Sequence, residues 1–414
     1  MQQSARDSGS ALAPSRRVMR LAVVTETYPP ELNGVARTLA RLVEGLATRG
    51  HRIMVLRPRV PGMEAGDFPG VAQQGLASAP IPFYRSLRMG LPCSGSLESL
   101  WREDPPDLVH IATEGPLGWS ALRAARACGL PVSTEFRTNF HAYTRHYGFG
   151  WMNGAVLGYL RRFHNAADLT MVPSEPLRRE LEGFGFDGLC VVGRGVDTTR
   201  FHPAWRDRGL RRDWGVRDCD PVLLYVGRLA SEKSLDILFA AHEATAARQA
   251  AKGTETRLVV TGDGPLAARL RRRHPRAIFT GPLRGDDLSR HYASADLFVF
   301  PSLTETWGNV TVEALASGLP VVAWDHAAAG QLVRTGQNGW LAEPGDERAF
   351  VHGVQHIAGA AAERERLRAA ARASTTGQGW DGVVQEAERE LVRLATGSHR
   401  ASLSRDCRGA VATP

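Results

Sequence analysis

Short apolar runs recur along this chain and are separated, in part, by stretches with apolar residues at helical spacing. Residues 21–25, 51–56, 107–111 and 169–172 are runs of strand length with almost no polar interruption, as expected for strands buried on both faces. Residues 35–48 and 117–128 carry the intervening helical period. That alternation predicts an α/β domain built on a parallel, doubly wound sheet. The pattern restarts at 222–226 and continues through 257–261, 277–280, 297–300 and 320–323, so a second Rossmann-like domain is expected. The expected partition is 18–196 and 197–374, with a polar stretch to Asp220 after the join and a helix over residues 380–394. Residues 1–17 and 398–414 lack an apolar period and read as disordered tails. Residues 58–92, rich in Gly and Pro, read as an extended loop system. Residues 154–165 are amphipathic, with core packing favoured over membrane insertion. A ligand belongs between the two domains, at the carboxyl ends of the strands.

Composition adds limits. A chain of 414 residues, 43% hydrophobic and 23% charged, suffices for two soluble cores. It has no apolar run long enough to span a bilayer, and residues 11–14 are too short for a secretory signal. Five scattered cysteines without C-x-x-C spacing point to a reduced, cytosolic compartment. The net charge of +8 is spread over most of the sequence without a nucleic-acid-binding module, so the partner it suits is an anionic membrane surface and not nucleic acid. Only two lysines, Lys233 and Lys252, stand among the 51 Lys and Arg residues. Where arginine is otherwise used throughout, a retained lysine asks for a reason.

The candidate chemistry lies at strand ends. Glu305 falls in the loop after the strand at 297–300, and Glu313 lies eight residues on, in the early turns of the following helix. Gly308, Asn309 and Val310 mark the helix entrance, where free backbone N–H groups and the helix dipole favour a diphosphate. In this layout Glu305 serves a sugar and Glu313 accepts hydrogen bonds from ribose hydroxyls. Arg228 and Lys233 follow the first strand of the second domain and would neutralise a diphosphate leaving group; a solvated loop is the plainer reading. Gly262, Asp263 and Gly264 mimic a dinucleotide fingerprint but lack its acidic ribose partner, so a tight turn is expected, with backbone contact from Gly262 to a nucleotide left open. Gly34, at the end of the first strand-to-helix loop, would let backbone approach a phosphate or sugar across the cleft. Asp218 and Asp220 form a D-x-D that stands before a strand in a surface linker, and no residue cluster has metal-ligand spacing, so neither metal nor cofactor is expected.

Taken together, Gly227 and Arg228 with Glu232 and Lys233, then Gly262 and Gly264, residues 292–302, and Glu305 and Glu313 followed by residues 314–322, resemble the retaining GT4 glycosyltransferases of GT-B fold. The resemblance covers residues 19–395. It implies that Arg228 and Lys233 hold the donor diphosphate, that Glu305 contacts the sugar, that Glu313 binds the ribose and that Gly34 approaches the phosphate. It also implies that no metal is needed and that a last helix, within 375–397, returns to the first domain. Many members carry a histidine where this chain has Arg137, followed by Thr138, Asn139 and Phe140. Arg137 stays protonated and cannot be a base; either His141 substitutes for the histidine or Arg137 orients the sugar. Residues 80–92 and 110–118 look like those of glycolipid-forming members, including α-mannosyl and sulfoquinovosyl transferases. This implies a lipid or glycolipid acceptor, with Tyr28, Arg88 and Glu114 as candidate acceptor contacts, at the inner face of a membrane. The expected activity is transfer of a hexose, mannose from GDP-mannose first, from a nucleotide-sugar donor. A catalytically silent nucleotide-sugar-binding scaffold is the alternative, and an NAD-dependent enzyme is disfavoured by the missing acidic partner.

Overall fold

The computed structural model describes residues 17–31, 34–60, 68–81, 84–137 and 150–397; His141 and both expected tails lie outside them, apart from Arg17. Among these residues the first domain carries a seven-stranded parallel sheet in the order β3-β2-β1-β6-β7-β8-β9. The strands are β1 (Arg20–Val24), β2 (Arg52–Pro58), β3 (Val71–Leu76), β6 (Leu108–Ile111), β7 (Val132–Glu135), β8 (Leu169–Val172) and β9 (Leu189–Val191). A separate antiparallel hairpin joins β4 (Ser78–Ile81) to β5 (Tyr84–Gly90). The second domain carries a six-stranded parallel sheet in the order β12-β11-β10-β13-β14-β15. Its strands are β10 (Val222–Val226), β11 (Arg257–Thr261), β12 (Ile278–Gly281), β13 (Leu297–Phe300), β14 (Val321–Trp324) and β15 (Gly339–Ala342).

In each sheet the winding reverses beside the first strand, between β1 and β6 and between β10 and β13. Loops leaving the carboxyl ends of these strands diverge and open a crevice. The loop after β1 leads to Gly34, the loop after β10 carries Arg228 and Lys233, and the loop after β13 carries Glu305. The topology therefore brings the three candidate segments to the carboxyl ends of central strands in the two sheets.

The helix Trp380–Ala395 packs on the helix Gly34–Thr48 of the first domain. Val384, Ala387, Leu391 and Leu394 share a core with Leu39, Val43 and Leu46. A Cβ at Gly45 would lie 2.5 Å from Val384 Cγ2, so glycine there sets the close helix approach. Glu388 locks the contact, accepting from Arg49 Nε at 2.5 Å and lying 3.1 Å from His51 Nε2.

Two expectations are corrected and one strand is added. Residues 58–92 are not one loop system: β3 joins the sheet edge and the β4–β5 hairpin follows. Edge strand β3 alternates half-buried and exposed positions, so it lacks the continuous apolar run that marks a central strand. Residues 132–135 are a strand in their own right, although Ser133, Thr134 and Glu135 are polar, because each is buried against another polar partner. Asp220 is buried instead of lying on a surface linker, accepting from the backbone N–H groups of Arg217 and Glu255 and from the Arg217 guanidinium.

Gly262 is fixed by backbone crowding. Its φ is +137°, and a Cβ would fall 1.9 Å from the Gly227 carbonyl oxygen. Its N–H is already donated to Gly281 O at 2.9 Å, so the residue shapes the loop and is not an available donor to a nucleotide. Gly262→Ala is expected to destabilise the fold by about 2 kcal/mol or more, read from the midpoint of urea unfolding.

Candidate active site

The loop after β13 is held from the loop after β10. Lys233 Nζ donates to Glu305 Oε1 at 2.5 Å and to Ser302 Oγ and Thr304 Oγ1 at 3.3 Å each. Ser302 Oγ donates to the same carboxylate oxygen at 2.9 Å, and Thr304 Oγ1 donates to Glu232 O at 3.2 Å. An ammonium meets three oxygens here as a compact point charge, which a planar guanidinium would not reproduce. Arg228 lies half-exposed five residues earlier, with Glu232 at 3.9 Å.

Gly308 has φ +91°, a conformation open to glycine, and turns the chain into the helix Asn309–Ala316. That turn presents Asn309 to the first domain, where its Nδ2 donates to Thr38 Oγ1 at 3.4 Å. Val310 is half-buried and packs on the second domain's core. Glu313, one turn on, is buried: Tyr292 OH donates to Oε2 at 3.0 Å and Arg37 donates across the cleft to Oε1 at 3.3 Å. Burial raises the Glu313 pKa above the ordinary carboxylate value, against the opposing pull of Arg37 and the Tyr292 hydrogen bond.

Two cavities meet at this seam. One of about 370 Å³ is lined by Gly34, Arg37, Thr38, Asn309 and Glu313 together with residues 195–197 and 200–201. The other, of about 220 Å³, is lined by Gly34, Thr38, Arg137, Arg194 and residues 304–309. A Cβ on Gly34 would meet nothing within 4 Å, so the space beside it is open cleft. Lys233, Glu305, Glu313, Gly34 and Arg137 are thus brought to one seam, as the sequence pattern predicts.

Arg137 is buried at that seam. Its NH2 donates to Glu135 Oε2, its NH1 donates to Val35 O at 3.3 Å, and its own carbonyl accepts from Thr306 Oγ1 at 3.3 Å. Burial lowers its pKa to about 10 against the support of Glu135, which leaves it protonated at neutral pH. Burial would raise the Glu135 carboxyl, but Arg137 and Arg194 outweigh it and hold the group well below the usual range.

The acceptor candidates fare differently. Glu114 stands with Oε1 3.7 Å from His164 Nε2, and its carbonyl accepts from Tyr159 OH. Arg88 braces the β4–β5 hairpin, donating to Ser78 Oγ and Ser78 O at 2.8 Å each. Tyr28 is only 6% exposed and packs in the first domain's core, where burial and the nearby Glu44 push its hydroxyl up to about 12. Its ring, four residues past the end of β1, is drawn into the core cluster that includes Leu39, Val43 and Leu108. Arg37 and Arg194 are site residues that sequence reading missed; no local motif separates them from other charged residues.

Two facing Rossmann-like domains with the ligand loops on the seam define the GT-B class of glycosyltransferases. Sucrose-phosphate synthase from Thermosynechococcus elongatus has the same architecture, with a TM-score of 0.77 at 18% identity over 92% of this chain and all of that one. Anabaena Alr3699/HepE in complex with UDP and glucose follows at 0.70 and 20% identity, over 90% and 99%. The model "Glycosyltransferase Family 4" matches residues 32–200 and "Glycosyl transferases group 1" matches residues 220–359. A GDP-mannose-dependent alpha-mannosyltransferase of Mycolicibacterium smegmatis is 36% identical over 372 residues, 89% of this chain and 96% of the relative. The sulfoquinovosyl transferase SQD2 of Arabidopsis thaliana is 30% identical over 386 residues, 91% and 74%. The chain belongs to the family 4 glycosyltransferases and is a glycosyltransferase.

Proposed function

We propose that this enzyme transfers a hexose, mannose from GDP-mannose in the first instance, to a hydroxyl of a lipid or glycolipid with retention at the anomeric carbon. The observation that carries the reading is the 36% identity to a GDP-mannose-dependent alpha-mannosyltransferase, which runs through both domains and so spans both walls of the cleft. Arg228 and Lys233 receive the diphosphate, Glu313 the ribose and Glu305 the sugar. Arg137 orients the sugar and, being protonated, takes no proton. Departure of the nucleotide diphosphate leaves negative charge that Lys233 and Arg228 stabilise, and the departing phosphate oxygen assists the acceptor hydroxyl on the same face. The reaction on this reading uses no metal.

The acceptor surface belongs to the first domain. The helix Gly150–His164 buries Leu160 and Phe163 while exposing Tyr159, Arg161 and Arg162, a basic and aromatic rim suited to anionic headgroups. No helix among the described residues is long and apolar enough to cross a membrane, and contact through such a rim needs none. The scaffold reading is not favoured, because the relatives over the full two-domain length are named as transferases.

Thermal-shift screening with GDP-mannose, UDP-glucose, UDP-GlcNAc and UDP-glucuronate is expected to give the largest rise with GDP-mannose. A ligand at 100 times its Kd stabilises by about 2.7 kcal/mol. A rise with a UDP-sugar alone would replace the donor; no rise and no transfer to diacylglycerol vesicles with any donor would remove the proposal.

A further inference from the structure

We infer that Arg37 is a positioning residue for the donor: reaching over from the first domain, it holds the buried Glu313 carboxylate of the second ready to accept two ribose hydroxyls. The inference rests on the proposed role of Glu313 at the ribose. Arg37 stands in the first turn of the helix Gly34–Thr48, and its NH2 donates to Glu313 Oε1 at 3.3 Å, a contact that spans 276 residues. Tyr292, on the helix Gly285–Ser294, donates its hydroxyl to Oε2 at 3.0 Å. Each carboxylate oxygen therefore has one donor.

An ionised carboxylate offers about four lone-pair sites. With one donor already on each oxygen, one site per oxygen is left, and a pair of vicinal hydroxyls matches that remainder. Hydrogen bonds to an ionised acceptor are about twice as strong as those between neutral groups, so the ribose gains most while Glu313 is charged. Its surroundings oppose the charge, because the side chain is only 8% exposed.

Tyr292 does not supply the balance. Burial and Glu313 itself hold its hydroxyl well above the ordinary value, so it brings a hydrogen bond and no charge. The cations that bear on Glu313 are Arg37 and, in the segment between β9 and β10, Arg200. Among the described residues only Arg37 hydrogen-bonds the carboxylate. Both cations pull the Glu313 pKa down against the burial that raises it. Arg37, Arg200 and Glu313 line the same cavity of about 370 Å³, so the guanidinium reaches the carboxylate from the wall of the space that the ribose would enter.

Binding of nucleoside diphosphates to the purified full-length enzyme, measured by calorimetry without acceptor, tests the inference. The probes are GDP, UDP and the 2′,3′-dideoxy form of whichever binds more tightly. The wild type should prefer the ribose form. Arg37→Ala should weaken that form by about ten-fold at neutral pH, the contribution of one hydrogen bond to a charged group, and leave the dideoxy form nearly unchanged. A protonated Glu313 loses acceptor capacity, so affinity for the ribose form should fall as pH drops through its pKa. Without Arg37 that pKa rises, and the fall should set in at higher pH. In transfer assays the loss should appear in KM for the donor and not in kcat. Arg37→Lys, which keeps the charge, should restore part of the affinity and of the pH profile, and serves if the alanine variant does not fold.

Equal weakening of the ribose and dideoxy forms would make Arg37 a direct phosphate contact and overturn the inference. Tighter binding by Arg37→Ala would make Arg37 a latch that competes with the ribose, with the same consequence. A pH profile unmoved in both variants would detach Arg37 from the charge on Glu313 and overturn it too. If the wild type bound neither diphosphate, or did not prefer the ribose form, the ribose assignment of Glu313 would fall and the inference with it. Intact binding without transfer to any acceptor would count against the proposed function alone.

Discussion

Lys233→Ala is expected to lower kcat/KM for transfer at least ten-fold, equivalent to about 1.4 kcal/mol of barrier. The ammonium is held by Glu305, Ser302 and Thr304 from the neighbouring strand end, so its position at the cleft is fixed before substrate binds. Its removal takes away charge that matters most when the diphosphate departs, so kcat should fall with kcat/KM. The fold should survive, because Lys233 lies in a short 3₁₀ turn outside the core, and an unchanged urea midpoint would establish this. Lys233→Arg is expected to recover only part of the loss, since a planar fork does not reproduce the three-oxygen contact. Near-wild-type turnover in the purified alanine variant would reject the donor-site assignment.

The largest effect on stability is expected from Asp296→Asn. Asp296 precedes β13 and is buried, accepting from Arg206 NH2 and Arg211 NH1 at 2.8 Å each and from the backbone N–H of Val222 at 2.9 Å. Arg211 is only 1% exposed. Removing the carboxylate's charge strands that guanidinium, and breaking a buried pair costs about 3–5 kcal/mol. Burial alone would raise the Asp296 pKa, but Arg206 and Arg211 outweigh it and lower the folded value below the ordinary one. A lowered carboxyl pKa contributes stability that is fully present above the unfolded value of about 3.9 and is lost as pH falls through the folded value. Urea unfolding of the wild type should therefore show part of its acid loss in this range, and Asp296→Asn should lack that component. An unchanged midpoint in the variant would show that the arginines find other acceptors.

Glu305, Gly308, Asn309 and Glu313 were legible because one strand, one turn and one short helix position all of them. A continuous apolar run fixes β13, and the chain must then turn within a few residues into the next helix. The same local logic places Arg228 and Lys233 after β10. Edge strand β3 was hidden because an edge needs only one apolar face, and its partner β2 supplies the pairing. Strand β7 was hidden for the opposite reason: Ser133, Thr134 and Glu135 violate the apolar rule of a central strand and are tolerated only because buried partners satisfy them.

Tyr28 and Gly262 mark the limit of motif reading. Both occur in loops expected to face a ligand, yet one ring turns into the core and one Cα is pressed against the Gly227 carbonyl. A sequence can state that a residue sits in such a loop, while its direction depends on the atoms packed behind it.

By itself the sequence determined the two parallel sheets, the strand ends at which the candidate residues gather and the loop that carries Glu305, because these follow from periodicity and from contacts within about a dozen residues. The tertiary structure decided which arginine meets which carboxylate. Arg37 reaches Glu313 across 276 residues, and Arg194 reaches Glu135 across 59. With arginine spread throughout the chain, nothing in its local spacing selects these pairs. A hydrogen-bonded ion pair needs its charged atoms within a few ångströms of each other, and only packing of the finished sheets sets that distance.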